Sequence, residues 1–234
     1  MDHAEISILE VESRAIAYRL RAGEAPSLVF LPGYASDMEG AKALALDGFA
    51  EQRGISMLRL DYSGTGSSGG RFEDGTFALW LEEALAAVDR LTAGPVILVG
   101  SSMGGWIALH MALLRPARVA GLVGIAAAPD FTDWGFTAEQ VAALGTEGPL
   151  TRAFWQSGQA MLLLDGEIAI DCPVRLVHGD ADSEVPHDVA FRLMRRLRSA
   201  DVQLNLLKGG GHRLSEPRDI SAILRAVAGL LESQ

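Results

Sequence analysis

Pro-Val-Ile-Leu-Val-Gly-Ser-Ser-Met-Gly-Gly-Trp, residues 95–106, decides how the rest of the chain is read. Residues 95–99 are a short apolar, β-branched run that predicts a buried strand, and Met103–Leu114 predicts a helix. Between them stands Gly100-Ser101-Ser102-Met103-Gly104, a G-x-S-x-G pattern at a strand-to-helix turn. A serine at the apex of so sharp a turn sits in a strained backbone conformation. The residues two positions to either side must lack side chains for strand and helix to pass closely. Such a turn lifts the Ser102 hydroxyl clear of the sheet. It also aims the Met103 N–H, at the positive end of the new helix, where an oxyanion would form.

Pattern alone is cheap, because Gly66-Ser67-Ser68-Gly69-Gly70 fits it as well. Context separates the two copies. Ser68 has no apolar strand directly before it and no apolar helix after it, and Arg71-Phe72-Glu73-Asp74-Gly75 reads as loop. Ser101 has the wrong residues at plus and minus two. Ser102 is therefore the candidate nucleophile.

A chain of 234 residues with 49% hydrophobic and 21% charged residues is ordinary for one large packed domain. A net charge of -10 argues against nucleic acid and against docking on anionic membranes. No apolar run approaches the length of a membrane span. Cys172 is the single cysteine and cannot form an internal disulfide, which favours a reducing compartment. Met-Asp-His-Ala-Glu at the start resembles neither a secretion signal nor an Arg-rich transit peptide, so the expected location is cytoplasmic.

Residues 6–11 and 14–20 alternate in polarity around a Glu-Ser break and predict an edge hairpin. Buried strands are expected at 27–31, 55–61, Val119–Ile125, 174–178 and Val202–Leu207. Helices are expected at Ala41–Arg53, Phe77–Leu91, 187–197 and 216–231. Phe77–Leu91 carries the apolar stripe of a helix lying on a sheet. Alternating strands and helices predict an α/β fold with a mostly parallel central sheet flanked by helices. Working residues then belong on the loops beyond the carboxyl ends of the strands.

The alternation stops between Pro129 and Asp171, which predicts a core of residues 1–128 and 172–234 with a small helical cap insertion at 129–171. Trp134, Phe136, Phe154 and Trp155 either form the insertion's own small core or line an apolar substrate pocket above Ser102.

A serine needs a base, and the base needs an orienting acid. Of five histidines, His110 falls inside a helix, His3 in the tail, His187 at an exposed helix start and His178 at a strand end. His212 follows Gly209-Gly210-Gly211 in the turn before the last helix, where glycines allow a path that throws an imidazole back over the sheet. It is the expected base. Asp180, Asp182 and Glu184 share the loop after His178. Asp182 is the preferred acid and Asp180 the runner-up. His178, Asp180 and Asp182 have the atoms of a metal site, but no second cluster completes one, so no metal is expected. Gly33-Tyr34 after an early strand offers a second oxyanion donor, the Tyr34 N–H beside that of Met103. Asp61-Tyr62-Ser63-Gly64 is expected to shape its loop, and Cys172 to be buried and inert.

The order Ser102, Asp182, His212 resembles that of the α/β-hydrolases over nearly the whole chain. More narrowly, Leu-Pro-Gly-Tyr (31–34), Asp-Tyr-Ser-Gly-Thr-Gly-Ser-Ser (61–68), Val-Gly-Ser-Ser-Met-Gly-Gly-Trp (99–106) and Cys-Pro-Val-Arg-Leu-Val-His-Gly (172–179) resemble one family. That family is the mitochondrial abhydrolase-domain palmitoyl-protein thioesterases, also described as acyl-glucuronide esterases. The resemblance implies hydrolysis of small-molecule esters or acyl thioesters without a cofactor. The same turn also serves aminopeptidases, carbon–carbon bond hydrolases, cofactor-free haloperoxidases and non-catalytic ligand-binding relatives, which stay open as alternatives.

Overall fold

Alternating polarity at the start of the chain produces an antiparallel hairpin, β1 (Ser7–Val11) and β2 (Arg14–Arg21). The computed structural model describes residues 4–148 and 150–232, so His3 lies outside the described residues. There follow β3 (Glu24–Leu31), α1 (Ala41–Arg53), β4 (Ile55–Leu60), α2 (Phe77–Leu91), β5 (Val96–Ser101), α3 (Met103–Leu114) and β6 (Val119–Ile125). Then come α4 (Phe131–Trp134), α5 (Ala138–Ala143), α6 (Arg152–Gln159), β7 (Val174–Gly179), α7 (His187–Arg196), β8 (Val202–Leu207) and α8 (Pro217–Leu231).

The strands form an 8-stranded sheet in the order β1-β2-β4-β3-β5-β6-β7-β8. The hairpin strands pair antiparallel with each other, and β2 pairs antiparallel with β4; from β4 to β8 every pairing is parallel. Successive strand residues face opposite sides, so Leu28 and Phe30 join one core and Val29 and Leu31 the other. The first core packs against α1 and α8 through Leu46, Ile223 and Val227; the second packs against α2 and α3 through Trp80, Ile107 and Leu109. Met103 to Ala112 in α3 are all buried, which explains why this helix shows no apolar stripe.

β3 starts at Glu24, earlier than its apolar run, because Glu24 already pairs with Ile55 before a bulge. The segment between β6 and β7 holds α4, α5 and α6. Among the described residues it contributes no strand to the sheet, only an isolated bridge from Ile168 to Leu197. Asp130 ties it down: its buried carboxylate accepts from the N–H groups of Leu163 (2.9 Å) and Leu164 (2.7 Å).

Candidate active site

Ser102 sits between β5 and α3 with φ 53 and ψ -119, a backbone region that side chains other than hydrogen disfavour. Neighbouring backbone holds it there. Its N–H donates to the Ile125 carbonyl (2.9 Å), and its carbonyl accepts from Gly105 (2.9 Å) and Ala128 (3.1 Å). The glycine spacing has a direct steric cause. A Cβ on Gly100 would stand 2.2 Å from the Gly104 carbonyl oxygen, and one on Gly104 would stand 2.0 Å from that of Leu31. Gly33 presses on the serine itself: a Cβ there would lie 3.3 Å from the Ser102 Cβ. The loop after β3 thereby brings Gly33 and Tyr34 against the turn that carries Ser102 and Met103.

The loops after β7 and β8 meet over this serine. His212 Nε2 lies 3.1 Å from Ser102 Oγ, and His212 Nδ1 lies 2.9 Å from Asp182 Oδ2. With Nδ1–H donating to the carboxylate, Nε2 is left to accept the serine proton. The Asp182 side chain is 0% exposed. Its Oδ1 accepts the N–H groups of Glu184 and Val185, both at 2.9 Å, and His178 Nε2 stands 3.4 Å from Oδ2. Burial by itself would raise this carboxyl. Hydrogen bonds from His178, His212 and Val185, with the charge of His212, outweigh it and hold Asp182 well below the usual carboxylate range. Asp180, the runner-up, instead accepts from the Gly209 N–H and steadies the turn before His212. A Cβ on Gly179 would stand 2.1 Å from the Gly210 carbonyl oxygen, so the two loops touch backbone to backbone.

The remaining residues singled out in the sequence fall elsewhere. Ser68 is occupied by its own loop, donating to the Asp61 carbonyl and accepting from the Ala17 N–H, both at 2.7 Å. Asp61 braces that loop, accepting from Met38 (2.7 Å) and Ser67 (2.8 Å). His110 is buried, where desolvation keeps it neutral and its Nε2–H donates to the Met161 carbonyl (2.9 Å). Cys172 is half-buried rather than buried, and desolvation pushes its thiol up to about 11.

A cavity of about 690 Å³ opens on Ser102 and His212. Tyr34, Met103, Phe131, Trp134 and Phe136 line it. Phe154 and Trp155, expected there, do not. Phe154 is 1% exposed, wedged behind the wall with its ring 4.7 Å from that of Tyr34 and 5.4 Å from that of Trp80. Trp155 turns toward α4, donating its indole N–H to the Thr132 carbonyl (2.8 Å). Apolar periodicity places all four aromatics near one another, but only the helix crossing decides which face the void.

Residues 26–147 match the model of the alpha/beta hydrolase fold family. The chain belongs to the α/β-hydrolase fold family. Among its relatives, the human protein named palmitoyl-protein thioesterase ABHD10, mitochondrial, is 36% identical, covering 93% of this chain and 76% of its own. The solved mouse alpha/beta hydrolase domain-containing protein 10 superposes with TM-score 0.90 at 34% identity, over 98% of this α/β hydrolase and 99% of that chain. A putative hydrolase from Agrobacterium vitis S4 matches with TM-score 0.87 at 39% identity, over 97% of each chain. No helix among the described residues is long and apolar enough to cross a membrane.

Reading the hydrolase's sequence alone missed several cavity residues: Phe131, Glu184, Lys42 and Arg213. Glu184 Oε2 stands 3.8 Å from His212 Nε2. For Lys42 a signal existed, since it is a cation in the first turn of a helix that has no acidic residue there. For Phe131 there was none beyond its neighbours, since any aromatic of that segment was an equal choice.

Proposed function

We propose that this α/β hydrolase is a serine esterase or thioesterase that cleaves carboxylic esters or acyl thioesters through an acyl-enzyme on Ser102. The observation that carries the reading is the relay from Ser102 Oγ to His212 Nε2 (3.1 Å) and from His212 Nδ1 to Asp182 Oδ2 (2.9 Å). Ser102 Oγ attacks the carbonyl carbon while His212 takes its proton. The resulting oxyanion accepts from the backbone N–H groups of Tyr34 and Met103. As the intermediate collapses, the imidazolium returns the proton to the departing alcohol or thiol. Water, deprotonated in turn by His212, then attacks the acyl carbon and frees the acid, restoring Ser102. Asp182 fixes the tautomer and steadies the imidazolium in both halves. Neither half calls for a metal or cofactor.

Phe131, Trp134 and Phe136 give the cavity an apolar wall that suits an acyl chain. The relatives named palmitoyl-protein thioesterase support the same substrate class. Cys172 being the one cysteine of the sequence, a reducing compartment such as the cytoplasm fits the chain.

The test is Ser102→Ala, which should abolish turnover of p-nitrophenyl esters and acyl thioesters together with fluorophosphonate labelling. Labelling that persists at Ser68 would overturn the assignment. Matched oxygen esters and thioesters of increasing acyl length then define the substrate: preference for long chains supports a lipid-acyl substrate, and preference for acetyl or butyryl a general carboxylesterase.

A further inference from the structure

Lys42 and Arg213 stand on the wall of the same cavity as Ser102 and His212. Arg213 is exposed at the cavity mouth, whereas Lys42 is half-buried and has the less favourable placement. Lys42 lies in the first turn of α1, whose N-cap, Gly40, supplies no side-chain cap. A cation at that end of a helix opposes the macrodipole. Burial strips water from its ammonium group and lowers its pKa, and the charge of Arg213 pushes the same way. Lys42 Nζ donates to the Arg213 carbonyl, which keeps the two basic residues side by side.

Elsewhere the molecule treats cations as enclosed as Lys42, or more so, differently. Arg21 and Arg59 both reach Asp47, and Arg175 is matched to Asp201. No such carboxylate forms an ion pair with Lys42 or Arg213 among the described residues. Asp37 and Glu184 share the cavity, but each is directed elsewhere. Asp37 accepts from the Glu39 N–H at 2.9 Å, and the Glu184 carboxylate lies toward His212.

We propose that Lys42 and Arg213 form a subsite for an anionic group, a carboxylate or phosphate, carried on the alcohol or thiol that is expelled from the acyl carbon as Ser102 is acylated. The inference rests on Ser102 being the nucleophile and adds the class of leaving group. The aromatic wall takes the acyl chain, so the basic wall is left for the other half of the substrate. The protein's overall field works in the opposite sense. At a net charge of -10 it repels anions, so a preference for an anionic ligand requires a local site.

Calorimetry on the Ser102→Ala protein tests this with octanoyl thioesters that share one acyl chain. Their thiols are N-acetylcysteamine (neutral), mercaptopropionate (one carboxylate) and coenzyme A (phosphates). At least one anionic thioester should bind about tenfold more tightly than the neutral one, the worth of a single charge-assisted contact. Adding Lys42→Gln should remove most of that ratio, Lys42→Arg should keep it, and added salt should shrink it. The two anionic arms show whether carboxylate or phosphate is the better fit. Equal or weaker binding of both anions overturns the subsite, as does a preference that survives Lys42→Gln combined with Arg213→Gln. Should Arg213→Gln disturb the adjoining His212 loop, Lys42→Gln alone decides. Wild-type turnover and fluorophosphonate labelling report on the nucleophile and the calorimetric ratio on the basic wall, so each reading fails on its own measurement.

Discussion

The turn that carries Ser102 and the helical stretch between β6 and β7 are built by opposite means. In the turn, backbone abuts backbone. Gly100 touches Gly104, and Gly104 touches Leu31, at spacings where a Cβ would fall within 2.2 Å of a carbonyl oxygen. In the helical stretch, side chains reach for backbone. Trp134 donates to the Pro129 carbonyl (2.8 Å), Trp155 to that of Thr132 (2.8 Å) and Trp106 to that of Met161 (3.2 Å). Steric exclusion of the first kind admits one residue type. Anchors of the second kind can be supplied by several side chains, so this region can change pocket shape while the chemistry beneath it stays in place.

The largest effect is expected where the fixed side meets the reaction. Asp182→Asn leaves the packing of the loop after β7 nearly unchanged but favours the wrong imidazole tautomer. kcat should fall about 10⁴-fold, the size seen when the acid of such a relay is replaced. Steady-state kinetics checks this, and a loss below about tenfold would mean the relay does not operate through this carboxylate.

Matched glycine substitutions separate the two regions next. Gly104→Ala drives a methyl into the Leu31 carbonyl at 2.0 Å, where only backbone can yield. A stability loss above about 4 kcal/mol or failure to fold is expected. In Gly158→Ala the new methyl meets the Thr132 side chain at 2.6 Å, and a side chain can move. The cost there should be about 1–2 kcal/mol in denaturant melts. Equal losses would erase the distinction between the two regions. Phe154→Ala and Phe136→Ala divide the helical stretch in the same way. Truncating Phe154, at 1% exposure, should cost about 3 kcal/mol of stability. Phe136, on the cavity wall, should cost less stability and instead shift the preferred acyl length.

This contrast also explains what was legible in the amino-acid sequence. Gly100 and Gly104 announce the turn because no other residue fits. His212 is legible because the three glycines before it mark a loop able to double back, and its Nε2 stands 3.1 Å from Ser102 Oγ. The sheet followed from short β-branched runs such as Val119–Ile125. Where side chains pack against side chains, the sequence underdetermines the result. Trp134 and Phe136 face the cavity while Phe154 and Trp155 do not, and periodicity treats all four alike. Lys42 and Arg213 are far apart in sequence and ordinary in composition. Only the meeting of α1 with the loop after β8 makes them a pair.

The smallest expected effect, and the most direct electrostatic test of the comparison, lies in two aspartates with buried carboxylates: Asp130, which ties down the helical stretch, and Asp182, which holds His212 over the Ser102 turn. Asp130 and Asp182 each accept from a pair of backbone N–H groups, so hydrogen bonding to the main chain does not distinguish them. At Asp130 burial dominates and raises the pKa, with the Leu164 and Leu163 amides offsetting only part of it. At Asp182 burial is outweighed by His178, His212 and Val185, and the pKa is lowered. A lowered carboxyl contributes stability that is present above the unfolded value of about 3.9 and is lost as pH falls through its folded value. A raised carboxyl acts in the other direction: its charge costs stability at neutral pH, and the cost disappears as it protonates. On acidification Asp130 should therefore take up its proton well before Asp182, a sequence visible in the carboxyl carbon shifts of the two side chains. Asp130→Asn should compare best with the wild type near neutrality and lose that standing as pH falls, whereas the deficit of Asp182→Asn should shrink only in strong acid. If Asp182 protonated first, the histidines would not be holding its charge, and the electrostatic half of the contrast between the two regions would fail.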